Sequence, residues 1–213
     1  MRAYFTLSAG ILASILWISP VFSQDHCATM PRLDSLFEKN ISLKKNFEAQ
    51  RNSLNTRLQQ RKALSQRSNA AEITYTIPVV FHIILPDPSV VTDAQLQAQL
   101  EVLNQAYSGT NADSASIPSW FKPLFAKSYI RFCLAQRTPG DAPSTGITRT
   151  ATSSTSFTYD DKVKYSSTGG TDSWNTDNYF NVWICRLGNN LLGYATFPDD
   201  GNADAQGVVI DYR

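Results

Sequence analysis

Histidine is scarce in this chain: its 213 residues contain two, His26 and His82. They form no H-x-x-x-H pair, so a three-histidine metal site cannot be assembled from the residues present. No P-loop, Rossmann glycine turn or G-x-S-x-G pattern occurs either. The formal charge of +1 excludes the basic surface of a nucleic-acid binder and the acidic tail of a solvating segment. Cysteine is limited to Cys27, Cys133 and Cys185; an odd number in an exported protein leaves at least one thiol free or otherwise occupied. No internal repeat or heptad is visible.

The near-neutral total hides a split. Residues 24–72 carry nine Lys/Arg against five Asp/Glu, and residues 73–213 carry nine against thirteen. The two parts should attract each other, as a leader docked on its domain would. Ahead of both lies a targeting signal over residues 1–23. Arg2 supplies its positive end, Tyr4 to Phe22 is apolar and almost uncharged, and Val21-Phe22-Ser23 fits the small-residue cleavage rule. A membrane anchor would need stop-transfer charges that do not follow, and "SQDHC" lacks the small residues of a lipid-attachment box. The expectation is a secreted, soluble protein starting at Gln24.

Residues 31–67 show helical spacing, with Leu33, Leu36, Phe37, Phe47, Leu54 and Leu58 as the apolar positions. So thin a set cannot form its own core and must lean on something else. "RKALSQRSNAAE" then reads as an exposed linker. From Ile73 the character changes. "ITYTIPVVFHIIL" is a central buried strand, with Pro78 at a free or bulged position. In "VTDAQLQAQLEVLNQAYSG", Thr92 and Gln95 make a capping box, and Leu96, Leu100, Leu103 and Tyr107 share one helical face. Gly109 is the stop. "YIRFCLAQR", "YFNVWICRL", "LLGYATFP" and "GVVIDY" follow as strands, while the Ser/Thr/Gly-rich stretch 138–176 reads as surface loop. This order implies an α/β sandwich with a twisted mixed sheet of five strands.

On the residues alone, chemistry is thin. His82, inside the first strand, is better read as a core histidine with one hydrogen bond than as a catalytic group. Asp199, Asp200, Asn202 and Asp204 could offer oxygen to calcium, but their order matches no known loop and a solvated turn is preferred. "LLGYATFP" suits an ordinary edge strand and a peptide-binding edge equally.

The blocks "IPVVFHII", "VTDAQLQAQLEVLNQAY", "IRFCLAQR", "TGITRT", "YFNVWICRLGNNLLGYATFP" and "GVVIDYR", in that order over residues 73–213, resemble the pappalysin family of zinc metallopeptidases, which are metzincins. The resemblance implies a signal peptide (1–23), a helical prosegment (24–70) and the N-terminal subdomain of the catalytic domain (71–213), with a backing helix behind the sheet. It also implies that the final strand leads to a helix bearing H-E-x-x-H-x-x-G-x-x-H. The zinc ligands and the general-base glutamate would then lie beyond residue 213, and the chain as written would be inactive. Calcium would be a second metal, the substrates proteins or peptides, and the enzyme a monomer that binds neither nucleic acid nor membrane.

Three site expectations follow from the resemblance. The edge strand would bind substrate, extended and antiparallel, through the backbone of Leu192, Gly193, Tyr194 and Ala195, with Gly193 permitting close approach. Cys27 would be the latency ligand to zinc in the zymogen, although Ala28 stands where a common family version has glycine. A cut near Arg67 would release the leader. The resemblance also places Cys133 and Cys185 on opposite sides of the first strand, as buried free thiols too far apart to bridge. The competing function, from another class, is a catalytically silent exported peptide-binding module.

Overall fold

The computed structural model describes residues 26–65, 73–198 and 200–213. The expected signal segment, the processing position Arg67 and Asp199 lie outside the described residues.

The apolar run after Ile73 forms β1 (Tyr75–Leu85), and it is central because both of its edges are paired. β2 (Ile130–Leu134) runs parallel beside Tyr75–Val79, and β3 (Ile147–Ala151) beside Phe81–Leu85, so these two share one edge end to end. β4 (Phe180–Cys185) takes the opposite edge, also parallel. β6 (Val208–Asp211) lies parallel to β4, and β5 (Gly193–Ala195) closes the order antiparallel to β6. The mixed sheet therefore has six strands, one more than the pattern suggests.

The additional strand, β3, falls in the stretch expected to be loop. "ITRTA" carries no apolar alternation because β3 is a part-exposed edge whose order comes from β1, not from its own side chains. Gly146 sits at the junction of β2 and β3 with φ +72; a Cβ there would lie 2.7 Å from the Ala135 nitrogen and 3.1 Å from the Val79 carbonyl oxygen. Only glycine lets the chain pass so close to the end of β2 as it enters β3.

Side chains alternate across β1 and divide the core in two. Val79, Phe81, Ile83 and Leu85 face Leu96, Phe132, Val182 and Ile184, and α3 (Asp93–Ser108) backs that layer. The α3 cap is as the sequence indicates: the Gln95 amide donates to Thr92 Oγ1, the Thr92 amide donates to Gln95 Oε1, and Gly109 ends the helix in the left-handed region. Asn104 on α3 satisfies the outer edge of β2, donating to the Phe132 carbonyl at 2.9 Å and accepting from its amide at 2.8 Å. The opposite layer gathers Ile84, Trp183, Cys185, Tyr194 and Val209 under Phe157, Val163, Leu187 and Leu191. The segment between β3 and β4 covers it, joined by Ala28 of the leader. That segment is a core-forming element rather than surface loop, with Val163 and Lys164 fully buried on a 3-10 turn.

His82 is the core histidine expected, but it makes two hydrogen bonds rather than one, through Nδ1 with Thr148 Oγ1 and through Nε2 with Asn181 Oδ1, and stacks on Trp183. Burial lowers its pKa against the opposing hydrogen bond from Asn181. All three cysteines are free. Cys133 pairs in register with Pro78 and Cys185 with Ile84, on opposite sides of β1 and roughly 20 Å apart along it, far beyond disulfide reach. Cys185 is buried as expected, whereas Cys133, on the thin β2 edge, is half-exposed.

The leader folds as α1 (Thr29–Lys39) and α2 (Ile41–Ser65). Leu33 is buried, and Phe47 bridges Phe37 on α1 and Phe197 of the domain through edge-to-face contacts. Leu54 and Leu58, counted among the apolar positions, stay exposed. Among the described residues no helix is long and apolar enough to cross a membrane.

Candidate functional site

β5 is bonded to β6 along one edge only. Its other edge would present unpaired amides and carbonyls, and the first residues of the leader fill it. The Leu192 amide donates to the His26 carbonyl at 2.8 Å, the Ala28 amide donates to the Gly193 carbonyl at 3.1 Å, and the Ala195 amide donates to Thr29 Oγ1 at 2.9 Å. Cys27 pairs with Gly193 in parallel. The structure thus sets Cys27 beside Gly193 and bonds the leader to Leu192, Gly193 and Ala195, while Tyr194 pairs in register with Val209 of β6.

The residues of this edge play unequal parts. Leu192 is exposed, and the Tyr194 side chain is buried on the face of the sheet opposite α3. The glycine requirement at Gly193 comes from β6, not from the open edge: a Cβ there would meet the Val209 carbonyl oxygen at 2.8 Å. The Ala28 methyl does not hinder docking, because Ala28 is 1% exposed within the cluster of Leu191 and Tyr194. The Cys27 thiol is exposed and donates to Thr29 Oγ1 at 3.4 Å.

One turn along α1, Arg32 enters the domain. Its Nε and Nη2 donate to Asp161 Oδ2 at 2.9 and 2.6 Å, and its Nη1 donates to Asp200 Oδ2 at 2.6 Å. Burial works against the charge, yet the two carboxylates hold the guanidinium pKa above its ordinary value. Lys164 completes the cluster. Its Nζ donates to the Ala205 carbonyl at 2.6 Å and lies 2.9 Å from Asp161 Oδ1, with the rings of Trp183 and Tyr194 about it. Burial pulls its pKa down to about 8, with Asp161 opposing and Arg32 adding to the fall. Asp200 is therefore no member of a solvated turn; it is buried in an ion pair. The sequence offers only a faint signal for this cluster, an arginine in a sparsely apolar leader and two acidic turns.

The residues present do not make a zinc site. Among the described residues no group of three or more His, Cys, Asp or Glu side chains is placed to hold a metal ion, and one thiol is not a coordination sphere.

An open α/β mixed sheet, helix-backed on one face, with a leader laid along its β5 edge, defines the class: the metzincin fold in its N-terminal part. Solved structures similar to it include those of mirolysin, a pappalysin-family metzincin, in line with the resemblance read from the sequence. A mirolysin in complex with a compound shares 43% identity over 66% of this chain, with a TM-score of 0.64. Mature mirolysin of Tannerella forsythia in complex with a cleaved peptide shares 42% over 67%, with a TM-score of 0.63. A promirolysin variant of the same organism shares 36% over 87%, with a TM-score of 0.68. The chain spans 54% of each mature mirolysin chain and 59% of the promirolysin chain. No protein-family profile matches it, and no curated protein matches it significantly.

Proposed function

We propose that these residues are the signal peptide (1–23), prosegment (24–70) and N-terminal catalytic subdomain (71–213) of a secreted zinc metalloendopeptidase made as a zymogen. The observation that carries this reading is the leader bonded along β5, on the edge where an extended peptide would lie. The leader runs parallel to β5, while a substrate would run antiparallel through the backbone of Leu192 to Ala195; the same amides and carbonyls serve both. Cleavage of peptides is the activity because a mirolysin structure holds a cleaved peptide.

Further support comes from the comparisons and from the sheet. The pro-form neighbour covers a fifth more of the chain than the mature forms do, as a separable leader requires. Between α3 and β6 an apolar groove of about 230 Å³, lined by Leu103, Tyr107, Val182, Val208 and Ile210 among others, leaves room for a further helix to pack. In this reading the zinc ligands and catalytic glutamate come from residues other than these 213. Zinc, when bound there, supplies the activation of water, and calcium is a further metal of the whole enzyme. What this chain's own residues do is bind and orient. β5 holds the peptide backbone, the leader covers it, and Cys27, exposed and fixed beside Gly193, is the latency ligand. A cut near Arg67 frees the leader, and the released enzyme acts as a monomer.

The test is expression of the complete reading frame with N-terminal sequencing of the secreted product and a peptide-hydrolysis assay. The expected result is a mature start just after Arg67, hydrolysis that appears with loss of the leader, and abolition by a zinc chelator. A mature start well before Arg51, or a product that binds peptides without cleaving them, would move the assignment to a silent binding module.

A further inference from the structure

Residues 114–140 contain no acidic side chain, while Lys122, Lys127, Arg131 and Arg137 give the stretch four cations. Arg137 pairs with Asp141 at 3.4 Å; the other three enter none of the ion pairs among the described residues. Within this stretch, between α3 and β2, one tight turn carries Leu124, 76% exposed, and Trp120, 72% exposed, with Phe121 exposed beside them. The turn is held rigidly. The Phe121 and Lys122 amides both donate to the Pro118 carbonyl, at 2.9 and 3.2 Å, the Leu124 amide donates to the Phe121 carbonyl at 2.9 Å, and the Phe125 amide donates to the Lys122 carbonyl at 3.2 Å. Pro118 and Pro123 have no amide to satisfy. Phe125 roots the turn by lying on Gly109, where a Cβ would come within 2.6 Å of its ring, and the Ser128 amide donates to the Tyr107 carbonyl at 2.9 Å. Phe121 and Leu124, three apart across the 3-10 turn (Lys122–Leu124), share one side of it.

We propose that this turn is an interfacial anchor that seats the protein on an anionic lipid bilayer, a role independent of the protease reading and contrary to the expectation that the chain contacts no membrane. Apolar side chains rimmed by positive charge match a partner that is negative at its surface and apolar beneath it. Tryptophan beside lysine suits headgroup depth, where the ring is buried while the ammonium reaches back to phosphate. Unmet backbone amides are the main obstacle to entering lipid, and those of Phe121, Lys122, Leu124 and Phe125 are already bonded within the turn. Trp120 and Leu124 stand out from the surface rather than line a hollow, a shape that a soft bilayer accommodates and that a rigid protein could meet only with a matching pocket. One carboxylate, Glu101, shares the neighbouring cleft with Lys127 and Arg131, which leaves the rim positive. Because no helix among the described residues can cross a membrane, the contact is interfacial and reversible. The net charge of +1 over the whole chain conceals this local excess.

The experiment uses the purified product of the complete reading frame with phosphatidylcholine vesicles, prepared with and without phosphatidylglycerol. Co-sedimentation should show binding at least about 10-fold stronger to the anionic vesicles, weakening as salt is raised, and brominated lipid should quench fluorescence in the parent but not in W120F. W120S/L124S should bind the anionic vesicles at least about 10-fold more weakly, and K122E/K127E should lose the preference for them. Both double variants change exposed side chains, so circular dichroism and peptide hydrolysis should match the parent. Binding no stronger to anionic than to neutral vesicles overturns the proposal, as does binding that survives W120S/L124S. A parent that sediments as a dimer while W120S/L124S is a monomer also overturns it and assigns the turn to a second copy. Failure of acrylamide to quench Trp120 in the lipid-free protein, read as the difference between parent and W120F, overturns it too, because the rest of the enzyme would then cover the turn. Vesicle binding by a parent that hydrolyses no peptide upholds the anchor and sinks the protease reading instead.

Discussion

Replacing Arg32 with alanine in the leader-bearing protein isolates the contact that locks leader to domain. Arg32 is 5% exposed and Asp200 3%, so the pair it forms is a buried one. Removing one partner of a buried ion pair costs about 3–5 kcal/mol, because the remaining charge is left desolvated and unpaired. Here Asp161 keeps its contact with Lys164, while Asp200 loses its ion-pair hydrogen bond and keeps only the more distant Lys164 charge. The domain need not unfold to escape that cost. Lifting the leader would admit water to Asp200, so the penalty appears as leader release and is capped by the free energy of leader docking. Taking the lower figure of about 3 kcal/mol, and tenfold per 1.4 kcal/mol, the leader-lifted population rises about 100-fold.

Hydrogen exchange reads that population directly, since the Leu192 and Ala195 amides are covered only by the leader's His26 carbonyl and Thr29 hydroxyl. In R32A both should exchange about 100-fold faster, while Ile83 and Ile184 in the central strands keep their wild-type rates. R32K, which keeps the charge but loses the fork, should fall between. R32A/D200N should be less open than R32A, because the stranded carboxylate is gone. Unchanged exchange at Leu192 and Ala195 would refute the idea that this buried pair holds the leader. Equal acceleration at Ile83 would show that the residue supports the whole domain instead.

Three other outcomes are expected. G146A should destabilise the domain by about 2–3 kcal/mol in chemical denaturation, because alanine disfavours φ +72 and its Cβ would press on the Ala135 nitrogen at 2.7 Å. His82 has a folded pKa below its unfolded one, so the unfolded chain takes up the proton first. Stability should be intact above about pH 6.5 and fall below it by up to about 1.4 kcal/mol per pH unit, and H82N should flatten that part of the melting-temperature profile relative to the parent. Thiol titration should count three free cysteines after denaturation; in the folded protein Cys27 reacts first, Cys133 later and Cys185 last, its pKa pushed up to about 12 by burial and by Asp211.

What could be read from the sequence was the part whose signal is local. β1 announces itself by an unbroken apolar run, and α3 by a cap, a stop and one apolar face, all within twenty residues of each other. β3 could not be read that way. Its pairing is written in β1, more than sixty positions earlier, and a part-exposed edge strand needs no apolar alternation. The leader shows the same limit in its electrostatics. Its excess of positive charge implied attraction to an acidic domain, yet most of those charges, Lys44, Lys45, Arg51, Arg57 and Arg61 among them, are exposed and contribute little once screened. The specific contact comes from Arg32 alone among the leader cations with an ion pair in the described residues, and its partners stand 129 and 168 positions away. Nothing in "MPRLD" distinguishes that arginine from its neighbours. Only the fold, by placing two acidic turns beneath the first turn of α1, turns a diffuse charge imbalance into one buried pair, and it does so beside the sheet edge where a peptide would lie.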